Sequence, residues 1–186
     1  AYITAFYTAG KKNGYKNMFD FSKLEQKINV LFETEYRDPL LSNDHLRNGM
    51  DYLKKEDYYN ALDEFYIAVS EDDNAINNYY VGHCCLKTED YMTAASYLTT
   101  AIELDSEFSE AYRDRGIAKY FQGYYDEAQK DLYFATELNT DDPETYYYMA
   151  LCYEAQSQYE VALQTIENAL NFEKDEIDYW YKAGYL

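Results

Sequence analysis

The chain is poor in residues that break helices or staple small folds. Its 186 residues include 2 prolines, 7 glycines and 3 cysteines. So little Pro and Gly excludes collagen-like and low-complexity sequence. Three cysteines, with Cys84 and Cys85 adjacent, leave an odd count and no disulfide framework, which fits a reducing compartment such as the cytoplasm. No apolar run approaches the roughly 20 residues that span a bilayer, so direct membrane insertion is excluded, and no signal-peptide pattern is present. The sequence starts at Ala1 without a methionine and reads as a processed or trimmed chain. Chemistry-bearing motifs are equally scarce. The two histidines, His45 and His83, belong to no zinc-type spacing or nucleophile motif, and phosphate-cradling glycine loops are missing. The run His83-Cys84-Cys85 looks like a ligand set, but successive helical residues point about 100° apart and do not converge on one ion. The expectation is a non-catalytic chain with no cofactor and no metal.

Positive charge is also in short supply. The chain carries 16 Lys/Arg against 35 Asp/Glu, a formal charge of −19. Residues 1 to 41 are nearly balanced at +1; residues 42 to 186 hold ten cations against thirty anions, a net of −20. A field of that sign repels phosphate backbones and anionic lipid, which disfavours nucleic acid and membrane-surface partners and leaves basic ones open. The plainer role of these acids is to line solvated helix faces. Calcium would need a twelve-residue loop with proper ligand spacing, which is absent.

What the sequence does have is self-similarity. Ala61, Ala94, Ala128 and Ala162 recur at spacings of 33, 34 and 34. Three residues earlier stands Tyr58, Tyr91, Tyr125 or Tyr159; four later Phe65, Leu98, Leu132 or Ile166; seven later Ala68, Ala101, Ala135 or Ala169. Offsets of 0, 3, 7 and 10 return to one side of a helix, so each copy predicts an amphipathic helix with a shallow alanine stripe against which a second helix can lie close. That second helix precedes it, marked by Gly49, Gly82, Gly116, Ala150 and Gly184. Glycine inside a helix costs about 1 kcal/mol against alanine, so its return implies close contact with the partner helix. Cys84 and Cys152 share a place with Ala118 in this pattern and read as small buried residues. Between copies run acidic linkers, and Asp142 before Pro143 reads as an N-cap followed by proline at the first helical position.

A 34-residue period of helical hairpins with these columns resembles the tetratricopeptide repeat (TPR) family. The resemblance covers residues 42 to 186: repeats at 42–74, 75–108, 109–142 and 143–176, then the start of a fifth or a capping helix at 177–186. The large aromatic expected early in each repeat appears as Tyr112, Tyr146 and Trp180, and a later tyrosine as Tyr153; Asp44 and Asn78 depart from the first pattern, and Asp51, Cys85 and Lys119 from the second. Residues 1 to 41 fit less well. Ser22 and Glu25 stand in capping-box spacing before Leu24, Ile28, Leu31 and Phe32, which predicts a helix at about 22–37 that ends before Pro39 as part of a degenerate capping repeat.

The resemblance implies an all-α, right-handed α-solenoid of antiparallel hairpins whose first helices line a concave groove. It implies a protein-interaction module or scaffold, and places toward the groove Leu46, Met50, Tyr79, His83, Lys87, Arg113, Ile117, Tyr120, Tyr147, Leu151 and Tyr181. Such a mixture of aromatics, aliphatics and rim charges suits a peptide or partner protein. Family members that grip acidic chaperone tails use Lys, Asn and Arg at set places; here those places hold Leu46 and Met50 or Tyr79 and His83, and Glu110 and Asp114 or Glu144 and Tyr148, so the clamp is absent. Two other roles stay open: a regulatory or targeting region of a larger protein, and self-association through Tyr179, Trp180 and Tyr181 at the C-terminal end.

Overall fold

The computed structural model describes residues 44–139 and 141–172. The expected helix at 22–37, Gly184 and the 177–186 segment with Tyr181 lie outside these residues. Eight helices account for the described regular structure: α1 (Asp44–Leu53), α2 (Tyr58–Glu71), α3 (Ala75–Lys87), α4 (Tyr91–Leu104), α5 (Ser109–Phe121), α6 (Tyr125–Leu138), α7 (Pro143–Ala155) and α8 (Tyr159–Phe172). Each helix packs on the one before it, and the first helices α3, α5 and α7 also touch one another. This is an α-solenoid of helical hairpins.

Turn chemistry fixes where each helix stops. Within the hairpins the chain reverses through one left-handed residue, Glu56 (φ 57°), Glu89 (φ 65°), Gly123 (φ 83°) and Ser157 (φ 62°). The backbone N–H of the residue after it then closes the turn: Asp57 N–H donates to Tyr52 O at 3.0 Å, and Asp90 N–H to Cys85 O at 2.9 Å. The next helix starts on a side-chain cap where the sequence allows one. Asp57, Asn74 and Asp90 accept from the backbone N–H three residues on, and Asp142 accepts from Glu144 N–H ahead of Pro143. Buried Asn77 extends this, donating from Nδ2 to Asp72 O (2.7 Å) and Ala68 O (3.2 Å) at the end of α2.

The core is the four-column pattern made solid. Ala61, Ala94, Ala128 and Ala162, the alanines seven residues further on, and Phe65, Leu98, Leu132 and Ile166 are all sealed from solvent. The glycines explain themselves by what a methyl group would meet. A Cβ on Gly82 would lie 2.6 Å from Leu98 Cγ, one on Gly116 2.7 Å from Leu132 Cγ, and one on Gly49 2.7 Å from Phe65 Cδ1 and Cζ. Behind the leucines the backbone itself closes in, with Ala94 O and Ala128 O at 3.2 Å. In the fourth hairpin Ala150 takes the glycine's place and the residue opposite is β-branched Ile166, which joins Ala150, Ala169 and Leu170 in one buried cluster. Cys84, Cys85 and Cys152 are buried too, and burial raises all three thiols, Cys84 and Cys152 to about 12. They pack as small apolar groups and are held in the unreactive protonated form.

Gly116→Ala gains about 1 kcal/mol of helix propensity and loses about 2–3 kcal/mol to overpacking, so chemical denaturation should show a net destabilisation of about 1–2 kcal/mol. Adding Leu132→Ile, which copies the Ala150–Ile166 pair, should restore part of it. A Gly116→Ala protein at least as stable as the parent would mean that the contact with Leu132 does not set the helix spacing.

Candidate partner-binding face

Since α3, α5 and α7 touch in succession, their outward rows form one continuous face. At its middle lies a charged network. Asp114 on α5 is almost fully buried; its Oδ2 accepts from His83 Nδ1 on α3 at 2.6 Å, and its Oδ1 accepts from Arg113 Nε at 2.8 Å, with Arg113 Nη2 also 2.8 Å away. Arg113 reaches on to α7, donating from Nη1 to Asp142 Oδ2 at 3.2 Å, while Glu144 Oε2 stands 3.6 Å from its Nε. Asp142 is at the same time the cap of α7 and accepts from Thr145 Oγ1 at 2.7 Å. One chain of contacts thus crosses three consecutive first helices.

Burial works against a charge on Asp114, but the His83 hydrogen bond and the Arg113 charge outweigh it and hold the carboxyl below the usual carboxylate range. For Arg113 too, burial opposes the charge, and Asp114, Glu144 and Asp142 overcome it, keeping the guanidinium firmly protonated. The same helix carries a second network on its other side. Asp131 on α6, also buried, accepts from Arg115 Nε (2.8 Å) and Nη2 (2.7 Å) and from Lys119 Nζ (2.7 Å), and Arg115 Nη1 donates to Thr99 Oγ1 on α4 at 3.2 Å. All three cations of α5 are therefore committed to carboxylates.

Aromatic rings fill the face around these charges. Tyr79 packs on Phe108 (4.7 Å between centroids), Tyr80 (5.2 Å) and His83 (5.7 Å), and burial raises its hydroxyl well above the usual range. Further along, Tyr120 lies against Phe121 (5.3 Å) and Tyr148 (5.9 Å), and Tyr148 against Tyr147 (5.5 Å). Phe121 also stacks on Tyr91 at 4.7 Å, yet remains 48% exposed.

The candidate residues divide by depth. Leu46, Ile117 and Leu151 are buried; Met50, Tyr79, His83, Arg113, Tyr120 and Tyr147 are partly open; Lys87 is exposed. The structure brings Tyr79, His83 and Arg113 together through Asp114, and links Tyr120 to Tyr147 through Tyr148. Reading by column missed Asp114 and Asp131 as the centres of networks. For Asp114 a signal was present: it falls three after Ala111 and four before Ala118, both buried, so a charge stood on an apolar stripe. His83 faces Asp114 whereas Cys84 and Cys85 point into the core, so the three adjacent residues share no site.

Repeat and hairpin packing resemble those of tetratricopeptide-repeat proteins, and the fold is that of their solenoids. No protein-family model matches the chain. Among curated proteins it is similar to Stress-induced-phosphoprotein 1 of Caenorhabditis elegans, 31% identical over 91 residues, which is 48% of this chain and 28% of the relative. It is similar also to TPR repeat-containing protein MJ1428 of Methanocaldococcus jannaschii, 26% identical over 137 residues, 73% of this chain and 24% of the relative. The chain thus spans about a quarter of the length of these curated relatives. Among solved structures, YrrB, a TPR protein, superposes with a TM-score of 0.68 at 24% identity, covering 99% of this chain and 100% of that one. Among the described residues no helix is long and apolar enough to cross a membrane.

Breaking a buried ion pair from one side leaves its partner uncompensated, so Asp114→Asn should cost about 3 kcal/mol at neutral pH. The folded carboxyl titrates below its unfolded value near 3.9. Its contribution is therefore complete above that value and is lost as pH falls through the lower folded one. In urea titrations the gap between parent and variant should narrow on going from pH 7 to about pH 3; a gap independent of pH would mean that the Asp114 charge is not what stabilises.

Proposed function

We propose that the chain is a non-catalytic protein-interaction module that takes a peptide segment of a partner along the face of α3, α5 and α7. The reading divides it into repeats at 42–74, 75–108, 109–142 and 143–176, of which the second, third and fourth contribute the first helices of this face. The observation that carries it is the combination of half-open rings with a rigid frame. Tyr79, Tyr120, Phe121, Tyr147 and Tyr148 offer large, low-entropy contact surfaces, and the Arg113–Asp114 network holds the helices beneath them in register. Aromatics of this kind dominate binding energy at interfaces, and a pre-organised surface loses less entropy on binding. YrrB, which shares the fold, is a TPR protein with an unusual peptide-binding site.

The face offers little for catalysis. The cysteine thiols are buried and raised, and His83 uses Nδ1 on a carboxylate whose other oxygen is occupied.

Panning a random 12-residue peptide display library over the immobilised chain tests the reading. Selected peptides should bind with 1:1 stoichiometry in calorimetry, and a Tyr120→Ala/Tyr147→Ala variant with unchanged helical circular dichroism should lose about tenfold or more in affinity. Selection of no peptide, or affinities indifferent to the two tyrosines, would remove this face from the function.

A further inference from the structure

The face has a sign. Between Ala75 and Phe172 the cations are Lys87, Arg113, Arg115, Lys119 and Lys130. Arg113 is bound by Asp114 and Asp142, with Glu144 close by, and Arg115 and Lys119 are bound by Asp131. A ligand carboxylate could use the Arg113 fork only by displacing carboxylates that already hold it. Lys87, exposed at the end of α3, is a single opposing charge. The tyrosine hydroxyls, by contrast, feel carboxylates: burial first raises those of Tyr148, Tyr120, Tyr79 and Tyr80, and Glu144, Glu154 and Glu110 add to it.

Tyr120 and Phe121 from α5 and Tyr148 from α7 form a three-ring cluster, with centroids 5.3, 5.9 and 6.1 Å apart. Phe121 is 48% exposed even though it stacks on Tyr91 behind it. Aromatic faces attract ammonium and guanidinium groups, and neighbouring carboxylates add a long-range pull of the same sense. Acidic side chains meet the reverse on both counts.

We propose that the segment captured here is basic, and that an arginine or lysine side chain of it lies on the Tyr120–Phe121–Tyr148 cluster. The inference rests on the peptide-binding reading above and adds the charge of the ligand and its anchor point. Complementarity of this kind acts on specificity and association rate as much as on affinity, so the interaction should weaken steeply with salt.

Three fluorescein-labelled peptides, identical except for arginine, norleucine or glutamate at two central positions within the best sequence from the display library, provide the probe. Fluorescence anisotropy with the parent chain should rank arginine over norleucine over glutamate, with about tenfold or more between the ends. Phe121→Ala, which alters an exposed ring, should collapse the preference toward unity. Lys87→Glu, a surface change remote from the core, should strengthen the arginine peptide. A preference for glutamate or norleucine that still depends on Tyr120 and Tyr147 would overturn the charge inference while leaving a peptide face. An arginine preference untouched by Phe121→Ala and by Lys87→Glu would overturn the anchor point. If no library peptide binds at all, the peptide-binding reading fails, and this inference with it.

Discussion

A missing methyl group sets the geometry of this molecule. In three hairpins a glycine on the first helix leaves room for Phe65, Leu98 or Leu132 of the second, at distances that no Cβ could tolerate. The interaxial distance follows from that intrusion, because the large side chain is accepted into the backbone groove of the partner instead of standing between the two helices. The alanine columns are its complement: small residues on either side of the large one let the rest of the second helix come down to the same depth. Everything above the hairpin level inherits this spacing, including the distance between successive first helices and the reach that Arg113 needs to touch α3's partner carboxylate and α7's cap together.

The second layer of organisation is polar. Apolar columns are alike in every copy, differing only in the shape of the large residue and of the glycine or alanine opposite it, and favour any stacking of like on like. Asp114 and Asp131 favour only one arrangement, since each is buried and has its partners on particular neighbours. Both aspartates lie in the third hairpin, one on each of its helices. Its first helix gives cations to both, so α5 acts as a strut between a network at the face and one on the opposite side. The commitment of those cations also bears on the electrostatics of the surface, since all three are held by carboxylates of the chain itself.

The fold was legible because its determinants repeat. A column such as Ala61, Ala94, Ala128 and Ala162 is written four times, and a single accidental residue cannot imitate it. Caps were legible where one side chain suffices, as with Asp142 before Pro143, and the glycine places announced tight packing before any partner was visible. The face was harder to read for the opposite reason. Asp114 and Asp131 occur once each, with partners 31 and 12 to 16 residues away, so no repeat reveals those partners, even where the place of Asp114 on an apolar stripe marks it as unusual. Depth was also hidden: Ile117 and Leu151 look like groove anchors by column, but lie beneath the surface. Arg113 read as an available cation because nothing in the linear order shows that Asp142, 29 residues on, comes back beside it.

Repeats of this kind invite the idea that units can be exchanged, duplicated or deleted as equivalent parts. The apolar columns would permit it. The third hairpin would not, because His83 before it is tied to Asp114, Asp142 after it to Arg113, and Thr99 of the second hairpin to Arg115. Cutting it out would close the hydrophobic joint between neighbours while stranding His83 and Thr99 on one side and Asp142 on the other. Among the described hairpins the array is modular in its shape and singular in its wiring, with one hairpin that has no substitute among the others.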